Sequence, residues 1–297
     1  MAATLSDLFK AMPQWMSILG IAILLICRPA GKAETGPAQP AGWELVWSDE
    51  FDGPDASRIN PTRWTAEQGG DGWGNRERQY YSQRPENATI EKGCLVITVL
   101  KEKAPGFQCW YGPCEYSSAR LKTQAKFEKA YGRFEARIQV PSGQGIWPAF
   151  WLLGSNIMDQ PWPACGEIDV MEHTGREPST IHGTMHGPGY SGNNSIGARQ
   201  SLPGKQRFDA DFHRFAIEWE PQVIRWYVDD QLYQTRTPAE LPAGKLWVFD
   251  HPFFILLNVA VGGNLSGNVG GTTVFPQVMR VDYVRVYERL SKQESKP

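Results

Sequence analysis

Apolar and polar positions alternate along most of this chain with the period of two that a half-buried β-strand imposes. In Gly132-Arg133-Phe134-Glu135-Ala136-Arg137-Ile138-Gln139-Val140, Phe134, Ala136, Ile138 and Val140 share one face. Residues 213–219 and 281–287 repeat the pattern. Leu95-Val96-Ile97-Thr98-Val99-Leu100 is β-branched and bounded by Gly93 and by Lys101-Glu102-Lys103. Ile224-Arg225-Trp226-Tyr227-Val228 runs into Asp229-Asp230, which reads as a turn, and Leu232-Tyr233 starts the return. Residues 253–261 are almost wholly apolar, as a central strand buried on both faces requires. Strands at this density, with Gly and Pro between them and no internal repeat, predict an all-β sandwich with little helix.

The first forty residues follow another pattern. An apolar run from Trp15 to Cys27 precedes Arg28-Pro29-Ala30-Gly31-Lys32-Ala33. It is too short to span a bilayer comfortably but suits the apolar region of a secretory signal. Gly31 and Ala33 offer small residues for cleavage, although Lys10 offset by Asp7 makes a weakly charged front. An uncleaved anchor is the alternative. Leu24-Leu25-Ile26-Cys27 is similar to a lipoprotein box, with an isoleucine bulkier than that signal prefers. The expected division is a signal peptide at 1–33, a Gly/Pro/Ala linker at 34–42, one domain at 43–290 and a tail at 291–297. The protein is expected to be secreted or periplasmic, or held at a membrane through Cys27.

A formal net charge of −2 without a basic block argues against a nucleic-acid partner. Export permits disulfides. Cys109 and Cys114 could clasp a loop across Trp110-Tyr111-Gly112-Pro113. Cys94 and Cys165 form the remaining pair or stay as buried thiols.

Candidate chemistry is concentrated in Gly166-Glu167-Ile168-Asp169-Val170-Met171-Glu172-His173. A strand places Glu167 and Asp169 on one face, but a regular strand turns Glu172, five positions after Glu167, to the other. One extra residue bulging near Val170-Met171 restores it. Two glutamates then flank a space, with a third acid between them, which is the equipment for cleaving a glycosidic bond. Read as a helix, the segment separates the glutamates by roughly 140° and ends their cooperation. Read as an exposed edge, the acids are a solvated face. As metal ligands, Asp169, Glu172 and His173 lack the helical two-histidine spacing and a cysteine. The chain also carries 12 tryptophans. Most are expected in the core, but Trp73, Trp110, Trp147, Trp151 and Trp162 fall in loops or at strand ends, where flat rings complement the C–H faces of sugars.

With its neighbours, the acid motif resembles the signature of glycoside hydrolase family sixteen, in the form that carries the extra bulge residue. Trp147-Pro148-Ala149-Phe150-Trp151-Leu152-Leu153-Gly154 before it, and the run from His182 to Gly192 after it, are similar to the laminarinase branch. So are Trp73-Gly74-Asn75-Arg76-Glu77 with Gln79-Tyr80-Tyr81, and residues 258–263. The likeness extends in order from residue 45 to residue 287.

The resemblance implies a β-jelly roll of two curved antiparallel sheets with a concave cleft, and retaining, endo-acting hydrolysis of β-1,3-glucan. It implies Glu167 as nucleophile, Glu172 as general acid/base and Asp169 as the carboxylate that tunes the nucleophile. It also implies Trp147 and Trp151 as rings lining sugar subsites, His186 as a polar group beside the acid/base, and Asn75 and Arg120 as groups gripping sugar hydroxyls. Residue-level alternatives are a backbone-bonding structural role for His186 and a plain salt bridge for Arg120. No cofactor is expected for the chemistry. A structural Ca²⁺ is implied on the convex face, held by backbone oxygens at Glu50 and Gly93 with an oxygen of Asp282. The expected partner is a polysaccharide, met by a monomer. Mixed-linkage β-1,3-1,4-glucan, an algal galactan, transfer to a second glucan, and a non-catalytic glucan-binding module are the alternatives.

Overall fold

The computed structural model describes residues 39–290. The expected signal peptide at 1–33 with Cys27, most of the expected linker and the expected tail at 291–297 lie outside the described residues. Two large sheets face each other. One has ten strands and follows the spatial order Gln231–Arg236, Val223–Val228, His213–Glu220, Gly132–Gln139, Gln277–Arg289, Cys94–Lys101, Tyr116–Ser118 and Gln79–Tyr81. Trp43–Asp49 and Ala88–Glu91 add to it alongside Gln277–Arg289 and Cys94–Lys101. The other has eight strands, in the order Ile196–Ser201, Thr180–His186, Glu167–His173, Ile146–Gly154, Phe253–Val261, Arg120–Lys122 and Thr65–Ala66, with Glu128–Lys129 beside Phe253–Val261. Among the described residues, pairing is antiparallel apart from the short parallel ladder of Gln79–Tyr81 on Tyr116–Ser118.

The alternation read from the sequence explains which faces meet. Phe134, Ile138, Phe215, Ile217, Val281 and Val284 of the first sheet pack against Phe150, Leu152, Ile168, Leu257 and Val259 of the second, all fully buried. The strand Phe253–Val261 is buried at every position between Ile146–Gly154 and Arg120–Lys122. Asp229 and Asp230 both take positive φ, 47° and 66°, which lets two residues turn the hairpin between Val223–Val228 and Gln231–Arg236. Among the described residues, helix is confined to the single turn Gly263–Ser266 and two short 3₁₀ turns.

Cys109 and Cys114 are joined in a disulfide that closes a tight loop. Cys165 is a buried thiol packed with Leu153, Phe254 and Leu256, so it does not supply a second bridge with Cys94. Burial pushes that thiol up to about 11, so it stays protonated as a small apolar filler.

Candidate active site

The eight-stranded sheet carries a cleft of about 530 Å³ on the face turned away from the core, within the size range of ligand sites. Its floor is the strand Glu167–His173, flanked by Ile146–Gly154 and Thr180–His186. The ladder to Ile146–Gly154 pairs Trp151 with Asp169 and Phe150 with Met171, skipping Val170. On the other side the register shifts between Asp169 and Glu172. Val170 is therefore the extra residue of a β-bulge, at the position where the spacing of the acids demands one. Ile168, Val170 and Met171 are buried in the core, whereas Glu167, Asp169 and Glu172 all line the cleft. The helical reading is excluded. His173 is fully buried on the opposite side and its Nδ1 bonds the Thr180 carbonyl oxygen at 2.9 Å, so it does not join the acids.

Glu167 and Glu172 are each held by a different indole. Trp162 Nε1 donates to Glu167 Oε2 at 2.6 Å, and Trp147 Nε1 donates to Glu172 Oε1 at 3.0 Å. Asp169 lies deepest, 2% exposed. Its carboxyl stays protonated far above the usual carboxylate range, because burial disfavours the charge, Glu167 beside it adds repulsion, and the two share a hydrogen bond. Glu172 is also raised well above its ordinary value. Burial is the main cause, and the charges of Asp169 and Glu167 add to it, against the opposing Trp147 hydrogen bond. Burial and mutual repulsion thus hold protons on these carboxyl groups above the usual carboxylate range, the kind of shift that separates an acid role from a nucleophile role.

His186 accepts the Gly192 backbone N–H on Nδ1 at 3.1 Å, which places its own proton on Nε2. That nitrogen lies 3.1 Å from Asp169 Oδ2 and 4.0 Å from Glu167 Oε1. The direction is poor for a hydrogen bond, since Asp169 Oδ2 receives none. The ring thus meets backbone on one side and faces Asp169 and Glu167, the nucleophile's side of the cleft, on the other. Opposing polar atoms of Glu167, Asp169 and His186 lie within 4.8 Å of one another.

The remaining anticipated residues converge on the same cleft. Trp147, Trp151, Asn75 and Arg120 line it. Arg120 is clasped between two rings, its guanidinium carbon 4.7 Å from the Trp73 centroid and 4.8 Å from that of Trp151. It also pairs with Glu67 at 2.5 Å, a largely buried ion pair in the cleft wall rather than the surface salt bridge weighed as the alternative. Trp151 donates its indole N–H to Asn258 Oδ1 at 2.7 Å. Asn258 in turn donates to the Tyr81 hydroxyl at 3.1 Å, and Tyr81 donates to Glu77 Oε2 at 3.0 Å. Burial raises the Glu77 carboxyl, opposed by the Arg120 charge and by hydrogen bonds from its neighbours. Trp73 and Trp162, two of the rings the sequence offered for sugars, also line the cleft, whereas sequence reasoning gave no role to Glu77 or Asn258. Asn258 was visible as one amide in an otherwise apolar strand, and a buried amide needs partners.

The implied cation positions lie elsewhere. Asp49 pairs with Val284 and Leu95 with Val281, so the ends of two strands bring Glu50 and Gly93 toward Asp282 along one edge of Gln277–Arg289. The Asp282 carboxylate accepts from Arg137 at 2.8 Å, and that of Glu50 from Arg285 at 2.9 and 2.6 Å. With both carboxylates engaged, an ion here would be met chiefly by backbone carbonyls, as the oxygen-only set requires.

A β-glucanase of Rhodothermus marinus is 42% identical to this chain over 279 residues, covering 90% of this chain and 92% of its own. The laminarinase catalytic domain from Thermotoga maritima superposes with a TM-score of 0.79 at 49% identity, covering 84% of this chain and 99% of that one. The endo-β-1,3-glucanase of Pyrococcus furiosus gives a TM-score of 0.78 at 49% identity over 84% and 95% of the two chains. The family described as glycosyl hydrolases family 16 matches residues 75–284, which include Glu167, Asp169 and Glu172. The chain belongs to glycosyl hydrolase family 16.

Proposed function

We propose that the protein hydrolyses β-1,3-glucan internally and with retention of anomeric configuration, using Glu167 as nucleophile and Glu172 as acid/base. The observation that carries this reading is the bulge at Val170, which brings two glutamates onto one face in different electrostatic surroundings. Retention requires two carboxyl groups about 5–5.5 Å apart, one ionised and one protonated. The relatives named above act on β-glucans by their names, which supplies the substrate class.

In the first step Glu167 attacks the anomeric carbon while Glu172 gives its proton to the glycosidic oxygen. The carbon–oxygen bond breaks, its electron pair leaves with that oxygen, and a glycosyl ester forms on Glu167. In the second step Glu172 takes a proton from water, whose oxygen attacks the same carbon and releases Glu167 as carboxylate. Two inversions leave the configuration unchanged. Protonated Asp169, hydrogen-bonded to Glu167, steadies the carboxylate as it departs. Trp162 does the same from the other side. Double displacement between two carboxyls calls for no cofactor.

The decisive experiment measures reducing-end release from laminarin, lichenan and agarose by the wild type and by Glu167→Gln and Glu172→Gln. Laminarin is expected to be the preferred substrate, and Glu172→Gln is expected to lose about 10²–10⁴-fold in kcat. Turnover undiminished by either change would overturn the reading.

We further propose a stabilising Ca²⁺ at Glu50, Gly93 and Asp282, remote from the chemistry, and work outside the cytoplasm as a monomer. The Cys109–Cys114 bridge supports the oxidising compartment. Retention of the protein in the cytosolic fraction, or a stable dimer by light scattering, would count against those two points.

A further inference from the structure

Trp110 is 52% exposed, an unusual state for the largest apolar side chain, and yet nearly every freedom it has is removed. It stands directly after Cys109 in the loop that the Cys109–Cys114 disulfide closes. Its backbone N–H donates to the Gly70 carbonyl at 2.8 Å, and its indole N–H donates to the Glu77 carbonyl at 2.8 Å. The Tyr111 ring meets it edge-on at 5.4 Å, while the Tyr111 hydroxyl donates to the Arg78 carbonyl at 2.6 Å.

Both carbonyls that Trp110 engages belong to the segment that forms one end of the cleft, where Trp73, Gly74, Asn75 and Glu77 contribute to its wall. Gly72, at φ 88°, lets the ring come this close: a Cβ there would sit 3.0 Å from Trp110 Cδ1. At Gly70 a Cβ would stand 2.7 Å from Cys109 Sγ. The disulfide loop and the cleft wall are thus fitted backbone to backbone, with the indole as the join. Burying this ring would have been favourable. An indole anchored through its N–H, with one surface left in water next to a sugar cleft, is prepared for a stacking partner.

We propose that Trp110 is a distal sugar-binding platform, stacking on a glucose unit of the same β-glucan chain after that chain has left the cleft past Trp73. The disulfide keeps the platform in line with the cleft. This inference rests on the functional reading above and adds to it a preference for long chains. Aromatic stacking of this kind amounts to roughly threefold to tenfold in affinity.

The test uses the whole protein and a ladder of reduced β-1,3-gluco-oligosaccharides with laminarin as the longest member. For the wild type, kcat/KM is expected to keep rising at lengths greater than the cleft accommodates. Trp110→Ala is expected to flatten that rise by roughly threefold to tenfold through KM. Trp110→Phe, which keeps a ring but loses the bond to the Glu77 carbonyl, should fall between the two. The Cys109→Ser, Cys114→Ser double variant should resemble Trp110→Ala, and the wild type in reductant should follow it. A length dependence identical in wild type and Trp110→Ala overturns this inference alone. A wild type inactive on every member of the ladder overturns the functional reading instead.

Discussion

Trp147 gives one N–H to Glu172, and the direction of its influence can be tested. The bond favours the charged carboxylate and so opposes the burial that raises Glu172. Trp147→Phe is expected to raise that carboxyl further. Because the acid must be protonated to act, activity is lost as pH rises through its pKa, so the alkaline limb of the kcat/KM profile should move to higher pH. A limb that stays put or moves down would contradict the assignment. Asp169 makes a second test. Its folded-state pKa lies above the unfolded one, so the native state binds the extra proton and stability falls as pH rises from about 4 toward that folded value. Asp169→Asn is expected to raise Tm at pH 7 by roughly a few degrees, much less at pH 4, while activity drops. Differential scanning calorimetry at the two pH values reads this directly. At this scale the sequence was uneven. The acids were legible because their spacing has a geometric meaning, and Trp147 and Trp151 through the family resemblance. The partners of Trp162 and Glu77 were not, since a loop indole and a polar residue outside a regular strand give no sign of which distant carboxylate or hydroxyl they will meet.

The strand Glu167–His173 turns one extra residue into a functional requirement. Spacing the acids at five positions works only because Val170 is skipped by the ladder to Ile146–Gly154. Removing Val170 altogether should therefore regularise the strand and leave the three acids alternating on the cleft face. The deletion variant is expected to retain measurable hydrolysis, far above that of Glu172→Gln. It should lose about 1–3 kcal/mol of stability for one buried valine, read by urea denaturation. Complete inactivity in a folded deletion variant would mean that the bulge does more than set the side. The bulge and the main strands were readable because hydrophobic period and burial are the same fact seen twice. The short parallel pairing of Gln79–Tyr81 with Tyr116–Ser118 was not, because three-residue strands carry too little period to show a direction.

Across the whole molecule, the edge of Gln277–Arg289 is where a cation would tie strand ends together. Removing Ca²⁺ with a chelator is expected to lower Tm, and restoring Ca²⁺ to recover it, with kcat unchanged at temperatures where both forms are folded. An unchanged Tm would exclude the ion from this position. The two-sheet layering was legible from alternation alone, whereas strand order depends on long-range pairings that local pattern does not encode. One such pairing crosses the sandwich. Trp226, from the sheet opposite the cleft, reaches through the core to donate its indole N–H to the Asp169 carbonyl at 2.8 Å. Gly183 leaves room for it, since a Cβ there would lie 2.6 Å from Trp226 Cδ1. The backbone of the acid-bearing strand is thereby pinned by the far layer. Separation of the layers and loss of the working geometry should be a single event, so heat inactivation followed by residual hydrolysis ought to superimpose on the near-ultraviolet dichroism melt, with no folded but idle species between them.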